Sequence, residues 1–451
     1  MKDLTQGSIT KHILYMAIPI AIGMVVQTVY YLTDLYFVGQ LGKAAIAGVN
    51  AAGNLSFFVI GLTQILGVGT VTLISQAVGR KDRVTSNVIF NQSIGIAIFL
   101  GVMTLIFGYL FADDYLKAIS SDAETIQLGR TYLFWFIPNL ALQFALVAMG
   151  SALRGTGIVK PTMVVQMISV LINIILSPIL IAGWFTGKPM GVAGAGLASS
   201  IAIIVAVIMM WHYFHKLERY VGVSRDQIKP DFKVWKNISA IGFPAGGEFL
   251  LMFFYTAVIY SVIQEFGAAA QAGYGLGSRV MQAIFVPALA LAFALPAVVG
   301  QNFGAKLKSR VVDSFKRTAL MISGLMGVLT IISYWNAELF LRAFSDDAEV
   351  LMIGATFLQL IAFNFIPSGL IFTCSGMLQG LGNTWPAFFS MGSRIFIFVL
   401  PAIWMSKQTF FELEHIWYLS IATVIIQMMI SYWLVSKEIR KKFKSLDLST
   451  Q

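Results

Sequence analysis

Long apolar stretches separated by short polar ones dominate the chain, and their length is typical of membrane-spanning helices. A helix needs about 20 apolar residues to cross the hydrocarbon core of a bilayer, and windows of this kind recur twelve times. We place the predicted spans near 11–38, 48–76, 88–112, 126–150, 160–184, 191–214, 238–263, 272–300, 312–336, 351–379, 386–406 and 414–436. The pattern therefore predicts an all-α polytopic membrane protein with twelve transmembrane helices.

The longest polar stretch lies at the midpoint of the chain, at residues 215–237. It is the natural cytoplasmic linker between two groups of six spans. We therefore predict an amino-terminal six-helix lobe at 1–214 and a carboxy-terminal six-helix lobe at 238–451, which ends in a short cytoplasmic tail.

The two predicted lobes are related in sequence. A shift of 225 residues aligns them without a gap from residue 19 to residue 161, and it superposes Pro19 on Pro244, Gly42 on Gly267, Asp122 on Asp347 and Pro161 on Pro386. Internal duplication is common among transporters. Because six is an even number, both bundles enter the membrane with the same orientation. We expect a pseudo-twofold axis along the membrane normal and a cleft between the bundles that opens to either side.

Composition and charge agree with this class. The chain is 57% hydrophobic and only 12% charged, whereas soluble domains have about 25% charged residues. Its single cysteine, Cys374, excludes an internal disulfide. The Lys and Arg residues concentrate in the amino terminus, the even-numbered loops and the carboxy terminus, which predicts that both termini are cytoplasmic in a plasma (inner) membrane. The net charge of +10 therefore reflects topology, and no nucleic-acid partner is expected.

Two acidic residues, Asp34 and Glu248, lie well inside predicted spans. A charge in hydrocarbon costs about 2.5–3.5 kcal/mol on insertion scales, so an intramembrane acid is a functional-site hypothesis. The shift of 225 places Asp34 on Ile259 and Glu248 on Gly23, so the duplication explains neither acid. Such a group can carry a proton, pair with a cationic substrate or bind Na⁺, one at a time. That exclusion is what antiport requires.

Asp34 is the predicted centre of the site, and polar residues surround it in sequence. The first span supplies Gln27, Tyr30, Tyr31, Thr33 and Tyr36. Asn173 and Ser177, at i and i+4 on one face of the fifth span, are candidates to complete a hydrogen-bond network around Asp34. The alternative is that Asp34 is a structural acid and that Asn173 and Ser177 make ordinary interhelical contacts.

Glu248 follows the flexible sequence Pro244 to Gly247, which allows close helix packing. It is a second candidate for cation coupling. Alternatively, it pairs with an intramembrane arginine, for which Arg279 and Arg394 are the candidates. Each of these arginines could instead line the cleft.

The sequence does not favour an enzyme. The four histidines lie at predicted membrane edges and form no HExxH or paired-ligand pattern, and no GxSxG motif or phosphate loop is present; they are His12, His212, His215 and His415. A twofold cleft with buried acids suits a carrier better than a channel. We expect no cofactor other than a coupling ion, small organic substrates and the bilayer as partners, and function as a monomer.

Several of these features together resemble one family. They are the twelve spans in two homologous halves, Pro19 and Asp34 in the first span, 296–305 at the end of the eighth, and Leu153–Gly157 matched by Leu378–Gly382. Over nearly its whole length the sequence resembles the multidrug and toxic compound extrusion (MATE) family. The resemblance implies cation-coupled export of organic, often cationic, compounds. It also implies that Asp34 matches the helix-1 aspartate used in coupling.

The resemblance divides between two branches of the family. Sodium-coupled members use a helix-7 glutamate, matched by Glu248, with a helix-10 aspartate, but 365–370 contains no acid here. Members with an amino-lobe proton site add an Asn and an Asp in helix 5, where this chain has Asn173 and then Ser177. We favour proton coupling through Asp34, with Na⁺ coupling at Glu248 as the alternative. The runner-up function is a flippase for lipid-linked sugars, a class that typically carries more cationic side chains in the cleft.

Overall fold

The computed structural model describes residues 1–218, 220–342 and 344–448, and its regular secondary structure in these ranges is entirely helical. The α-helices are α1 (Ile9–Gly39), α2 (Lys43–Gly79), α3 (Arg83–Ile119), α4 (Ala123–Gly155), α5 (Lys160–Ile181), α6 (Val192–Lys216), α7 (Phe232–Ile263), α8 (Ala268–Gly304), α9 (Lys308–Arg342), α10 (Ala348–Ile361), α11 (Phe365–Gly380), α12 (Trp385–Arg394), α13 (Leu400–Ser406) and α14 (Leu413–Leu448).

These helices form twelve apolar segments long enough to cross a membrane within the described ranges. Helices α10 and α11 make up one segment, Ala348–Gly380, and α12 and α13 make up another, Trp385–Ser406, in which a π-helical turn at Ile395–Val399 joins them. The predicted number of spans and the all-α class are therefore confirmed.

Most helices extend beyond the apolar windows that predict them. Helix α3, for example, covers 37 residues against a predicted span of 88–112. It begins where the Asp82 carboxylate accepts the backbone N–H of Thr85 at 2.9 Å, an N-cap outside the apolar region. Hydropathy locates the part of a helix that lies in hydrocarbon, whereas caps determine where the helix ends.

The chain packs as two compact units that divide inside helices. Unit 1 contains residues 1–3 and 22–242, and unit 2 contains residues 4–21 and the chain from 243 onward. The divisions fall within α1 and within α7. The predicted lobe boundaries at 214 and 238 mark the duplicated segments of sequence, whereas these units are defined by packing.

In unit 1 the polar stretch after α6 is fastened to α3 by two buried amides. The Asn91 side chain donates to the carbonyl of Gly222 at 3.0 Å and accepts the N–H of Ser224 at 2.7 Å. The Gln92 side chain donates to the carbonyl of Lys229 at 2.8 Å and accepts the indole N–H of Trp235 at 2.8 Å. These bonds fix the start of α7 in unit 1.

In unit 2 the segment before α1 is fastened in a comparable way. Leu4 is fully buried, and its N–H donates to the Gln301 side chain at 2.9 Å. Arg310 on α9 donates to the carbonyls of Leu4 at 3.3 Å and Gly7 at 3.0 Å, and to the Asn302 side chain at 2.9 Å. The first residues of α1 thus enter the membrane from a fixed position in unit 2.

Candidate functional site

Asp34 lies in the interior of unit 1 near the end of α1. Its side chain is 9% exposed, and its Oδ1 atom has no hydrogen-bond partner among the described residues. Tyr30, four residues earlier on the same helix face, and Tyr132 on α4 are close enough to interact with it electrostatically. One carboxylate oxygen is therefore available to a ligand in an apolar, aromatic surrounding.

A chain of hydrogen bonds beside Asp34 joins three helices. Tyr30 on α1 and Ser199 on α6 bond through their hydroxyls at 2.7 Å, and the Asn173 side chain on α5 donates to the Ser199 hydroxyl at 3.4 Å. Ser177 donates to Asn173 Oδ1 at 3.4 Å. Because the Ser199 hydroxyl donates its own hydrogen to the carbonyl of Ala195 at 3.2 Å, we assign Tyr30 as the donor in their pair.

A second pair of amides lies along α1. The Gln166 side chain on α5 donates to Gln27 Oε1 at 3.0 Å, and Gln27 also bonds the Tyr31 hydroxyl. Gln27 and Tyr31 therefore belong to a polar group one turn earlier in the helix than Tyr30 and Asp34.

The other two polar residues of α1 point elsewhere. The Thr33 hydroxyl donates to the carbonyl of Val29 in its own helix at 2.9 Å. Tyr36 is 64% exposed and packs edge to face on Phe37. The structure does not bring either side chain into the hydrogen-bond network next to Asp34.

Three residues of this region were not among the predicted site residues: Tyr132, Gln166 and Ser199. Each is a polar side chain inside an apolar span, which is the signal that singled out Asn173 and Ser177. What the sequence lacked was the identity of the helices that pack against α1.

Glu248 occupies a separate position in unit 2. The Ser375 hydroxyl on α11 donates to its carboxylate, at 3.0 Å to Oε2 and 3.4 Å to Oε1, and the Gln379 side chain donates to Ser375 at 3.3 Å. Within the described ranges neither Arg279 nor Arg394 forms an ion pair with it. Those ranges also contain no cluster of three His, Cys, Asp or Glu side chains arranged to hold a metal ion.

The two candidate arginines have different surroundings. Arg279 is exposed and lines a cavity of about 670 Å³ in unit 2, together with Tyr260, Ser278 and Asp347. Arg394, at the end of α12, donates from Nη2 to the Tyr255 hydroxyl at 2.7 Å, and its guanidinium carbon lies 3.9 Å from the centre of the Tyr255 ring.

Comparison with known proteins agrees with the duplication. The MatE family model matches residues 19–179 and 244–405, two segments that begin 225 residues apart. That separation equals the shift that aligns the two halves of the sequence.

Whole-length relatives exist among bacterial proteins. The chain is 26% identical over 423 residues to the probable multidrug resistance protein YoeA of Bacillus subtilis, which covers 92% of this chain and 91% of that protein. It is 25% identical over 429 residues to the multidrug export protein MepA of Staphylococcus saprophyticus, covering 93% and 92%. A multidrug resistance MATE family transporter of the MOP superfamily, solved in an outward-facing conformation, superposes with a TM-score of 0.91 at 22% identity, covering 98% of this chain and 99% of that one. At this identity the structural likeness concerns the fold.

Proposed function

Since the MatE model matches more than half of the chain, the protein belongs to the MatE family, and we propose that it exports organic compounds in exchange for protons. The names of YoeA and MepA, for multidrug resistance and multidrug export, support small organic compounds, often cationic, as the substrate class. Twelve apolar segments support a multi-pass protein of the plasma membrane. The distribution of Lys and Arg supports cytoplasmic termini.

The observation that carries this proposal is the unpartnered oxygen of Asp34. A buried carboxylate inside a membrane span is stabilised by any partner that neutralises it. A proton and an organic cation both do so, but one excludes the other. Binding of a proton at Asp34 would therefore release a cationic substrate, and loss of the proton would restore the site.

Proton coupling agrees better with these residues than sodium coupling. A hard cation takes several oxygen ligands, including carboxylates. Glu248 has one hydroxyl partner, Ser375, and 365–370 offers no second carboxylate. A single unpartnered oxygen, as on Asp34, is sufficient to bind a proton.

The test is efflux of a fluorescent lipophilic cation from proteoliposomes under an imposed proton gradient or an imposed sodium gradient. We expect the proton gradient to drive efflux, Asp34→Asn to reduce it at least tenfold, and Glu248→Gln to retain it. Asn has nearly the shape of Asp, so Asp34→Asn should unfold at a temperature close to that of the wild type. The two variants are matched, because each replaces one intramembrane carboxylate by its amide.

Other results would overturn the proposal. Sodium-driven efflux that depends on Glu248 would move the coupling site to unit 2. If neither gradient moves an organic cation in the wild type, the export function itself fails, and transfer of a lipid-linked sugar becomes the function to measure.

A further inference from the structure

We propose that Arg394 binds a carboxylate of the exported compound, so that the protein accepts zwitterionic organic molecules as well as cations. This inference rests on the proposed export function and adds a substrate contact within unit 2. It concerns a residue that has no part in the coupling role proposed for Asp34.

Arg394 is a cation inside a membrane segment with no acidic partner. The ion pairs of the described ranges join Asp113 to Lys117 and Arg130, Asp313 to Arg317, and Glu338 to Arg342, and none includes Arg394. The nearest functional acid in the sequence of its lobe, Glu248, is bonded to Ser375 instead. The charge of Arg394 is thus not neutralised by a side chain of the described protein.

The guanidinium also has an unused donor. Its Nη2 donates to the Tyr255 hydroxyl, but its Nε atom is buried without a hydrogen-bond partner. Buried donors are normally paired, and an exception calls for an explanation. A carboxylate is the acceptor whose geometry matches the guanidinium fork, because it accepts two parallel N–H bonds. The group that is missing here is therefore an anion with two oxygens.

Arg394 is held in place before any ligand arrives. The Tyr255 ring lies under its guanidinium at 3.9 Å, and Phe398 packs on the same ring with centroids 4.7 Å apart. The Tyr255 hydroxyl also bonds Ser420 at 3.4 Å. A side chain ordered in advance loses little entropy on binding, which favours affinity.

The helix around Arg394 has an unusual form as well. Regular α-helix ends at Arg394, and the next five residues, Ile395–Val399, form a π-helical turn. Such turns are rare and occur often at functional sites. Together with the unpartnered Nε atom, this turn distinguishes Arg394 from an arginine that only stabilises the fold.

The same hydrogen-bonded group offers an acceptor for the opposite charge. The Asn364 side chain donates to Ser420 at 3.1 Å, while its Oδ1 atom is buried without a partner. An unpartnered donor at Arg394 and an unpartnered acceptor at Asn364 thus belong to one group of residues. This combination suits a molecule that carries both a carboxylate and an ammonium or hydroxyl group, which is why we assign zwitterionic compounds.

The test compares two dyes that differ only in the carboxyl group: a rhodamine with a free carboxyl and the methyl ester of the same dye. Their binding to the purified full-length protein in nanodiscs, and their efflux from proteoliposomes, are measured for the wild type and Arg394→Gln. Arg342→Gln is the matched control, because Arg342 is an exposed residue whose partner is Glu338 on its own helix. We expect Arg394→Gln to weaken binding of the free acid about tenfold or more, as for loss of a charge-assisted hydrogen bond. Binding of the ester should change less than about twofold, and Arg342→Gln should affect neither dye.

A structural role would give a different result. If Arg394→Gln weakens both dyes equally, or leaves the free acid unaffected, the inference is wrong. The same holds if replacing gluconate by chloride changes ester binding in the wild type but not in Arg394→Gln, since Arg394 would then bind an inorganic anion. If Arg394→Gln does not fold, Tyr255→Phe replaces it, because this change removes the hydroxyl that positions Nη2 and keeps the ring. We expect Tyr255→Phe to weaken the free acid several-fold and to spare the ester.

The binding and efflux measurements separate this inference from the export proposal. If the wild type moves neither dye but binds the free acid through Arg394, the carboxylate site is supported and export fails. If the wild type exports the ester and Arg394→Gln makes no distinction between the dyes, export is supported and the carboxylate site fails.

Discussion

Tyr30 and Tyr255, 225 residues apart, make the same contact in the two units: each hydroxyl bonds a serine of the last long helix in its half. The Tyr30 to Ser199 distance is 2.7 Å and the Tyr255 to Ser420 distance is 3.4 Å. Each serine also accepts from an asparagine amide, at 3.4 Å in unit 1 and 3.1 Å in unit 2. The charge beside the tyrosine differs, because Asp34 interacts with Tyr30 whereas Arg394 lies on Tyr255. The duplicated halves share a polar frame and use it with opposite charges.

Ser199 connects α1 to α5 through this frame, so its removal should affect transport as well as stability. We expect Ser199→Ala to lower the free energy of unfolding by about 1 kcal/mol and to reduce proton-driven efflux several-fold, because Tyr30 loses its acceptor beside Asp34. Ser169→Ala is the control, since Ser169 makes an interhelical bond of 3.0 Å from α5 to Ala202 on α6. It should have a similar effect on the unfolding temperature and little effect on efflux. Equal efflux in both variants would show that the frame plays no part in transport.

The extent to which the sequence predicts this site follows from what periodicity can determine. The i, i+4 spacing of Asn173 and Ser177 places them on one helix face, and the structure joins their side chains at 3.4 Å. No periodicity specifies that Ser199 on α6 lies against Tyr30 or that Ser375 lies against Glu248. Those partners depend on which helices are neighbours, and neighbours are selected by side-chain packing over the whole unit.

The twelve spans were predictable for the opposite reason, because bilayer thickness sets the length of each apolar window. The division of α1 and α7 between units was not predictable, because it depends on close backbone contacts such as that of Gly242 with Ile65. A glycine in an apolar span is compatible with many neighbours. Only the structure shows which glycine meets another backbone.

Gly242 on α7 faces the carbonyl of Ile65 on α2 so closely that a Cβ atom would overlap the carbonyl oxygen. We expect Gly242→Ala to force the helices apart and to lower the free energy of unfolding by about 3 kcal/mol, the upper part of the range for overpacking. Gly53→Ala is the matched control inside α2, because a Cβ there meets nothing within 4 Å. It should be neutral or stabilising by up to about 1 kcal/mol through helix propensity. Thermal unfolding of both purified variants measures the difference, and similar unfolding temperatures would contradict the prediction.

Asp82 should make stability depend on pH. The hydrogen bond from the Thr85 side chain, with that from the Thr85 backbone, lowers the pKa of Asp82 below its usual 3.8. Because the folded-state pKa is the lower one, the cap is fully effective above the unfolded-state pKa and is lost as pH falls through the folded-state pKa. We expect Asp82→Ala to cost about 1 kcal/mol at neutral pH and progressively less as pH falls through that range. Unfolding temperatures measured from neutral pH to about pH 3 should converge; a constant difference would show that Asp82 does not act through its charge.

Arg310 fastens the segment before α1 to unit 2, and its removal should release that segment. It is the donor of three hydrogen bonds, to Leu4, Gly7 and Asn302, and the carbonyl of Leu4 belongs to a fully buried residue. Bonds of a charged donor to buried acceptors contribute more than neutral ones, so we expect Arg310→Gln to lower the free energy of unfolding by about 1.5–3 kcal/mol.

Hydrogen exchange provides the local readout, because the N–H of Leu4 donates to Gln301 and is protected only while the segment is in place. The control is Arg317→Gln, since Arg317 is exposed and pairs with Asp313 one turn earlier on α9. An exposed pair of this kind contributes under about 1 kcal/mol, so its loss should leave exchange at Leu4 unchanged. Faster exchange at Leu4 in both variants would mean that the charge of α9, and not the bonds of Arg310, retains the segment. Faster exchange in Arg310→Gln alone would show that α1 begins from a position fixed by unit 2.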